Sequence, residues 1–206
     1  FSMLLKKNSM LRLTLVRLRR NHLAMIGLAI VLTLIFVAVF ADYIAPFKYA
    51  RQHLRETLQA PNAKYLLGTD EFGRDVLSRL IYGARVSLQV GLVAVSISLL
   101  VGGSLGAIAG FYGGKLDNLI MRLMDVQLAV PSTLLAIAIA AALGPGLFNL
   151  MIAVGISSVP RFARLLRASV VSVKELEFVE AARAMGASDF RIIVLHILPN
   201  CCSPLI

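Results

Sequence analysis

The amino-acid sequence predicts an all-α integral membrane protein, a polytopic helical bundle with four spans and the start of a fifth. Three observations carry this expectation. Only 16% of the 206 residues are charged and 58% are hydrophobic, whereas an ordinary soluble domain carries about 25% charged residues. Uncharged runs of 19 residues (Leu23–Ala41), 26 residues (Val86–Phe111) and 34 residues (Val126–Val159) follow one another, and about 20 predominantly apolar residues suffice for a spanning helix. The basic residues gather beside these runs and form no stripe with interleaved aromatics. The net charge of +10 therefore speaks for membrane topology and against nucleic acid.

Taken in order, residues 1–22 hold Lys6, Lys7, Arg12, Arg17, Arg19 and Arg20 with no acid. They form a basic N-terminal segment on the cytoplasmic side, either an amphipathic helix on the anionic leaflet or a plain flank that fixes orientation. The first span, about 23–42, runs outward into a polar external segment at about 43–85. The second, about 86–111, returns to a short inner loop at "YGGKLDN". The third, about 119–143, is kinked at Pro131 and runs out to Gly144-Pro145-Gly146. The fourth starts at Leu147 and has only 14 residues before Arg161, so it spans only if Arg161, Arg164 and Arg167 snorkel. This topology leaves 14 basic residues inside and 7 outside, which supports a cytoplasmic N-terminus.

Ala94, Ser98, Gly102, Gly106, Gly110 and Gly114 recur every four residues. The spacing predicts one small-residue face against which another helix packs closely, with Ser98, Gly102, Gly106 and Gly110 as its centre. Arg122 and Asp125, three apart, are expected to pair on their own helix.

No catalytic chemistry is visible. "GGSLG" at 102–106 matches the G-x-S-x-G elbow, but that motif needs a strained strand-to-helix turn, and Ser104 lies inside an apolar span. His22, His53 and His196 fall in three separate regions, and Cys201 and Cys202 are adjacent with no metal-ligand pattern. The expectation is a non-enzyme with no metal site and no cofactor of its own.

Residues 161–190 then form a loop on the cytoplasmic side. "SVKELEFVEAARAMG" reads as a helix closed by Gly186, with Ser188 or Asp189 capping a second helix whose run "FRIIVLHILP" re-enters the membrane. Two readings stand on the residues alone. One is a solvated elbow between spans. The other is a docking helix, in which Ala181 and Ala182 admit a partner closely while Glu180 and Arg183 make charged contacts.

These residues carry a resemblance. Glu180-Ala181-Ala182, then three residues, Gly186, and Leu198-Pro199 resemble the signature loop of bacterial ABC importer permeases. "HILPN", with His196 where an aliphatic residue is usual, is similar to the peptide and nickel permeases. "LGTDEFGRDVLSRLIYGARVSLQVG" at 67–91, "FYGGKLDNLIMRLMD" and "GPGLFN" resemble the same subfamily. The resemblance implies a transmembrane domain of the type I importer kind over 23–206, in the bacterial inner membrane. It implies that Glu180, Ala181, Ala182, Arg183 and Gly186 belong to a coupling helix seated on an ATPase subunit. The implied partners are a second homologous permease, two ATP-binding cassette subunits that hold ATP and Mg, and an extracytoplasmic binding protein. Dipeptides or oligopeptides are the implied substrates, with nickel or a nickel chelate as the alternative. Members of the family continue for two further spans beyond the loop, so the full protein is expected to be longer. An ATPase-independent channel or secondary transporter, or an intramembrane enzyme, would leave the loop unexplained.

Overall fold

Helix formation here follows from apolar runs interrupted by few breakers. A computed structural model describes residues 21–201, and among these it holds helices and no strands. The chain divides into two units, residues 1–89 and 90–206.

In the first unit, α1 (His22–Val39) starts at Asn21, whose side chain accepts from the Ala24 N–H at 3.3 Å. Thr33 donates to the Ala29 carbonyl at 2.8 Å, so its hydroxyl is satisfied within the helix. Only Ala38 of α1 is buried. A helix apolar on every side and covered by nothing has lipid as its natural solvent. The short α2 (Ala41–Ile44) follows.

Residues 45–75 have no regular element beyond one bridge between Thr69 and Asp75. Carboxylates and two hydroxyls hold the segment together. Asp70 accepts from the backbone N–H groups of Phe72 and Arg74 at 2.9 Å each, from Arg74 Nε at 2.8 Å, and from Arg79. Glu56 accepts from Lys64 at 2.8 Å and from the Tyr65 hydroxyl, whose ring is buried. Thr69 donates to the Glu56 carbonyl at 2.6 Å and accepts from the Gln59 N–H at 2.9 Å.

The next helix, α3 (Val76–Ile97), begins about ten residues before the apolar run does. Asp75 explains the early start: its carboxylate accepts from both the N–H and the hydroxyl of Ser78, at 2.8 and 2.6 Å. Ser78 in turn accepts from the Phe47 N–H at 3.0 Å, tying the loop to the helix.

In the second unit, α3 passes through a π turn (Ser98–Gly102) into α4 (Gly103–Tyr112). Next come α5 (Gly114–Leu128), α6 (Ser132–Leu143) and the 28-residue α7 (Leu147–Lys174). The short α8 (Glu177–Ala184) and α9 (Asp189–Arg191) lead into a second π turn (Ile192–Ile197) and a 3-10 turn (Leu198–Cys201).

The predicted third span is broken. Helices α5 and α6 meet at 88° around Pro131, which has no N–H to continue the ladder. Among the described residues, His22–Val39 and the continuous run Val76–Tyr112 are long and apolar enough to cross a membrane, and the bent pair makes a third if it counts as one span. The single helix expected over "SVKELEFVEAARAMG" is split at Glu175–Leu176, because its first three residues belong to the end of α7. Helix α7 continues through Arg161, Arg164 and Arg167 to Lys174, a length of about 42 Å at ~1.5 Å per residue.

Pro160 lies inside α7 and removes the N–H that would serve the Ile156 carbonyl. Gln127 of α5 replaces it, donating from Nε2 at 3.0 Å. A lost rung of one helix thus becomes a fastening between two.

Candidate functional site

Two features of the second unit coincide with residues singled out from the sequence: a seam between α4 and α7, and the helix α8.

At the seam, a Cβ on Gly106 would overlap the Ala163 carbonyl oxygen and stand 3.0 Å from Ala163 Cα. One on Gly102 would strike the Val159 carbonyl and stand 3.0 Å from Phe162 Cβ. One on Gly110 would stand 2.9 Å from the Arg167 carbonyl and from Val170 Cβ. Real Cβ atoms do not approach backbone this closely, so each glycine is there for its missing side chain. Ser98 extends the seam: its Oγ lies 2.8 Å from the carbonyls of Ala94 and Gly155, its single proton serving one or the other. Gly155 answers from α7, where a Cβ would stand 2.9 Å from Ile97 Cβ.

A four-residue repeat does not by itself hold one face. At ~100° per residue it drifts about 40° per step, so six positions would wrap more than half the helix. The π turn at Ser98–Gly102 winds more slowly and offsets part of that drift. Gly114 leaves the row altogether, since Gly113 (φ +66°) ends α4 and Gly114 opens α5 with open space around it.

Charge pairs fasten α5 to α7. Asp117 takes the Arg167 guanidinium through both oxygens, at 2.5 and 2.6 Å. Asp125 pairs with Arg164 of α7 and not with Arg122, as spacing along one helix had suggested. The tertiary partner wins because the α7 fork reaches the carboxylate directly.

Helix α8 sits on this framework. Val179 and Ala182, at 1% and 2% exposure, join Ala107, Phe111, Leu166, Val170 and Ile192 in one cluster. Ala182 is therefore spent on this chain's own core. Glu180, Ala181 and Arg183 remain exposed, as do Met185 (81%) and Phe190 (77%). The Arg183 guanidinium lies 5.7 Å from the Phe111 ring centre.

The helix closes with two bonds: Gly186 N–H to the Arg183 carbonyl at 2.9 Å, and Ala187 N–H to the Ala182 carbonyl at 3.1 Å. That pattern is the Schellman motif, and Gly186 at φ +78° occupies its left-handed position. Ser188 stands at the N-cap of α9 without a side-chain cap bond. Ser104, the accidental match to a nucleophile elbow, lies within α4 and donates back to the Leu100 carbonyl. Among the described residues no group of three or more His, Cys, Asp or Glu could hold a metal.

Comparison with known proteins gives three findings. Residues 102–206 match the family described as binding-protein-dependent transport system inner membrane component, and residues 9–61 match the N-terminal TM domain of oligopeptide transport permease C. The chain is 50% identical over 190 residues to the dipeptide transport system permease protein DppC of Alkalihalophilus pseudofirmus, covering 92% of this chain and 62% of that protein. It is 48% identical over 192 residues to the di/tripeptide transport system permease protein DppC of Pseudomonas aeruginosa (90% and 63%), and 44% identical over 191 residues to the glutathione transport system permease protein GsiD of Escherichia coli (92% and 63%). The chain thus spans under two thirds of the length of these relatives.

Proposed function

The chain belongs to the family of binding-protein-dependent transport system inner-membrane components, and from that premise we propose that it is a permease subunit of an ATP-driven ABC importer for dipeptides and short oligopeptides. It forms half of a translocation path, and a second, homologous permease forms the other half. An extracytoplasmic binding protein delivers the peptide. Two ATPase subunits hold ATP and Mg on the cytoplasmic side, where the N-terminus of this chain also lies.

The observation that carries this reading is the seating of α8. One face is locked into the core through Val179 and Ala182, while Glu180, Ala181, Arg183 and Met185 remain exposed. A rigid seat is what a coupling element requires, because a displacement imposed on the exposed face then moves the framework with it. The cluster beneath α8 includes Leu166 and Val170 of α7 and Phe111 of α4, so an ATPase pushing on α8 pushes on the two helices of the glycine seam. The peptide class rests on relatives named for dipeptide and di/tripeptide transport.

Affinity purification of the tagged full-length protein from its own membranes tests the reading. Recovery of a second permease with P-loop ATPases is the expected result. Recovery of this polypeptide alone, stable and homogeneous, would overturn it in favour of a self-contained transporter.

A further inference from the structure

The first unit holds a cleft of about 480 Å³ between α2, the loop at Tyr49 and the first turns of α3. That volume lies within the range of about 300–1,000 Å³ typical of small-ligand sites. The helical run Val76–Tyr112 has 37 residues, about 55 Å of helix against ~30 Å of hydrocarbon. Its excess length leaves room for the turns that carry Arg79, Tyr82 and Arg85 to stand clear of the lipid.

We propose that this cleft is a binding site for the two free termini of a short peptide entering the transporter, with Arg79 receiving the carboxylate and Asp42 the ammonium. The inference rests on the peptide-importer reading above and adds to it a site in this chain.

The two guanidiniums of the cleft differ in what they have left to give. Arg85 is the more committed, with only Nη1 left over: Nε donates to the Ala38 carbonyl at 3.0 Å, and Nη2 donates to Asp42 at 3.0 Å and reaches the Val39 carbonyl at 3.4 Å. Arg79 donates only through Nη1, to Asp70, which already has three other donors. The rest of its fork is without a partner among the described residues, and its side chain is 46% exposed. A planar fork with spare N–H groups is suited to a carboxylate.

Asp42 accepts one bond on each oxygen, from the Tyr82 hydroxyl at 2.9 Å and from Arg85 at 3.0 Å. Each oxygen keeps a second lone pair, enough for an ammonium. Between the charges stand the rings of Tyr49 and Tyr82, with centroids 5.2 Å apart, and the bare backbone of Gly83. The Tyr49 hydroxyl has no partner among the described residues, and the rings form a wall for a peptide plane or an apolar side chain.

Spacing agrees with this assignment. Arg79 precedes Tyr82 and Arg85 by three and six residues, about 4.5 to 9 Å along the helix axis. Two extended residues span at most ~7 Å. The axial offset is thus of the same order as a dipeptide, and a ligand lacking either charge forfeits one end of the cleft.

The test uses the full-length permease complex in lipid nanodiscs, without binding protein, and saturation-transfer NMR with alanyl-phenylalanine, its N-acetyl derivative and its C-terminal amide. Wild type is expected to bind the free dipeptide about tenfold more tightly than either blocked form, the worth of one charge-assisted hydrogen bond. Arg79→Gln should weaken the free dipeptide about tenfold and leave the amide unchanged, a split that loss of structure does not produce. Tyr49→Ala, which removes no hydrogen bond, should weaken all three peptides together. Equal binding of free and blocked peptides by wild type, or full discrimination retained in Arg79→Gln, overturns the site. ATP-driven uptake of the same dipeptide, measured in liposomes with the binding protein added, separates the two readings. Uptake by wild type with no discrimination at the cleft sinks only the site, whereas no uptake with the complete set of partners sinks the importer reading beneath it.

Discussion

The segment at 45–75 and the α4–α7 seam are both closely fitted, yet opposite chemistry fits them. The segment has no helix of its own, so side chains join backbone carbonyls in meeting its donors: Asp70 meets those of Phe72 and Arg74, and Thr69 meets that of Gln59. The seam is fitted by subtraction, since Gly102, Gly106 and Gly110 contribute no Cβ where the backbone of α7 passes. In water, a loop gains by adding polar atoms that complete hydrogen bonds. In lipid, where apolar contact between helices gains little over contact with lipid tails, close approach through small residues is the stronger device. The two regions should therefore fail in different ways.

The seam should fail hardest. Gly106→Val places atoms where the Ala163 carbonyl oxygen already sits, and neither helix backbone can yield cheaply. A cost of about 3 kcal/mol, at the upper end of overpacking, is expected. The measurement is the midpoint of thermal aggregation in detergent for the full-length protein, and an unchanged midpoint with intact assembly would refute the close contact.

Gly186→Val should cost less in stability and more in function. Open space surrounds Gly186, so the penalty is conformational, about 1–2 kcal/mol for a left-handed residue. The expected result is ATPase activity that persists while uptake is lost. Gly186→Asn should retain more uptake than Gly186→Val, because asparagine tolerates that conformation. Normal transport by Gly186→Val would remove the turn from the coupling path.

A third substitution probes a mixed case, in which a polar side chain serves the membrane helices. Gln127→Leu keeps most of the volume but leaves the Ile156 carbonyl beside Pro160 without its donor. A loss of about 1 kcal/mol is expected, read as a lower unfolding midpoint. No change would mean that another group reaches that carbonyl.

The smallest effect sharpens the segment at 45–75. Burial alone would raise the Asp70 carboxyl, but the N–H groups of Arg74 and Phe72 together with the Arg74 guanidinium outweigh it and hold the group at about 2. Its folded value lies below the ordinary one of ~3.9. Asp70 therefore contributes stability in full above about pH 4 and loses it as the pH falls toward 2. With allowance for solvent screening the contribution is about 1 kcal/mol. Limited proteolysis of the segment should accelerate between pH 4 and pH 3 in wild type. Asp70→Asn should show the faster rate already at pH 7 and little further change on acidification.

How much of this was legible beforehand depends on how far along the chain each cause lies. Apolar runs, the glycine row, the break at Pro131 and the Gly186 turn are local patterns, and each has a direct physical reading in a window of a few residues. The family, too, is legible in the loop at 180–199 and the segment at 67–91. The partner of Asp125 was misassigned because spacing along one helix is visible in sequence, while Arg164, 39 residues away, is not. The small-residue face seemed straightforward from its repeat alone, although a four-residue period drifts. A π turn offsets part of that drift, and nothing in "SLLVG" announces one.

By itself the sequence determined that this is an α-helical membrane protein, because spanning length, charge bias and turn chemistry are properties of neighbouring residues, and the motifs at 67–91 and 180–199 carried its resemblance to a family. Only the tertiary structure decided which of the loop alanines is buried, which guanidinium of the cleft is left with more open donors, and which side chain fills the rung that Pro160 removes. Those depend on residues dozens of positions apart meeting in space, and chain closure over such distances leaves no periodic trace for a local reading to find.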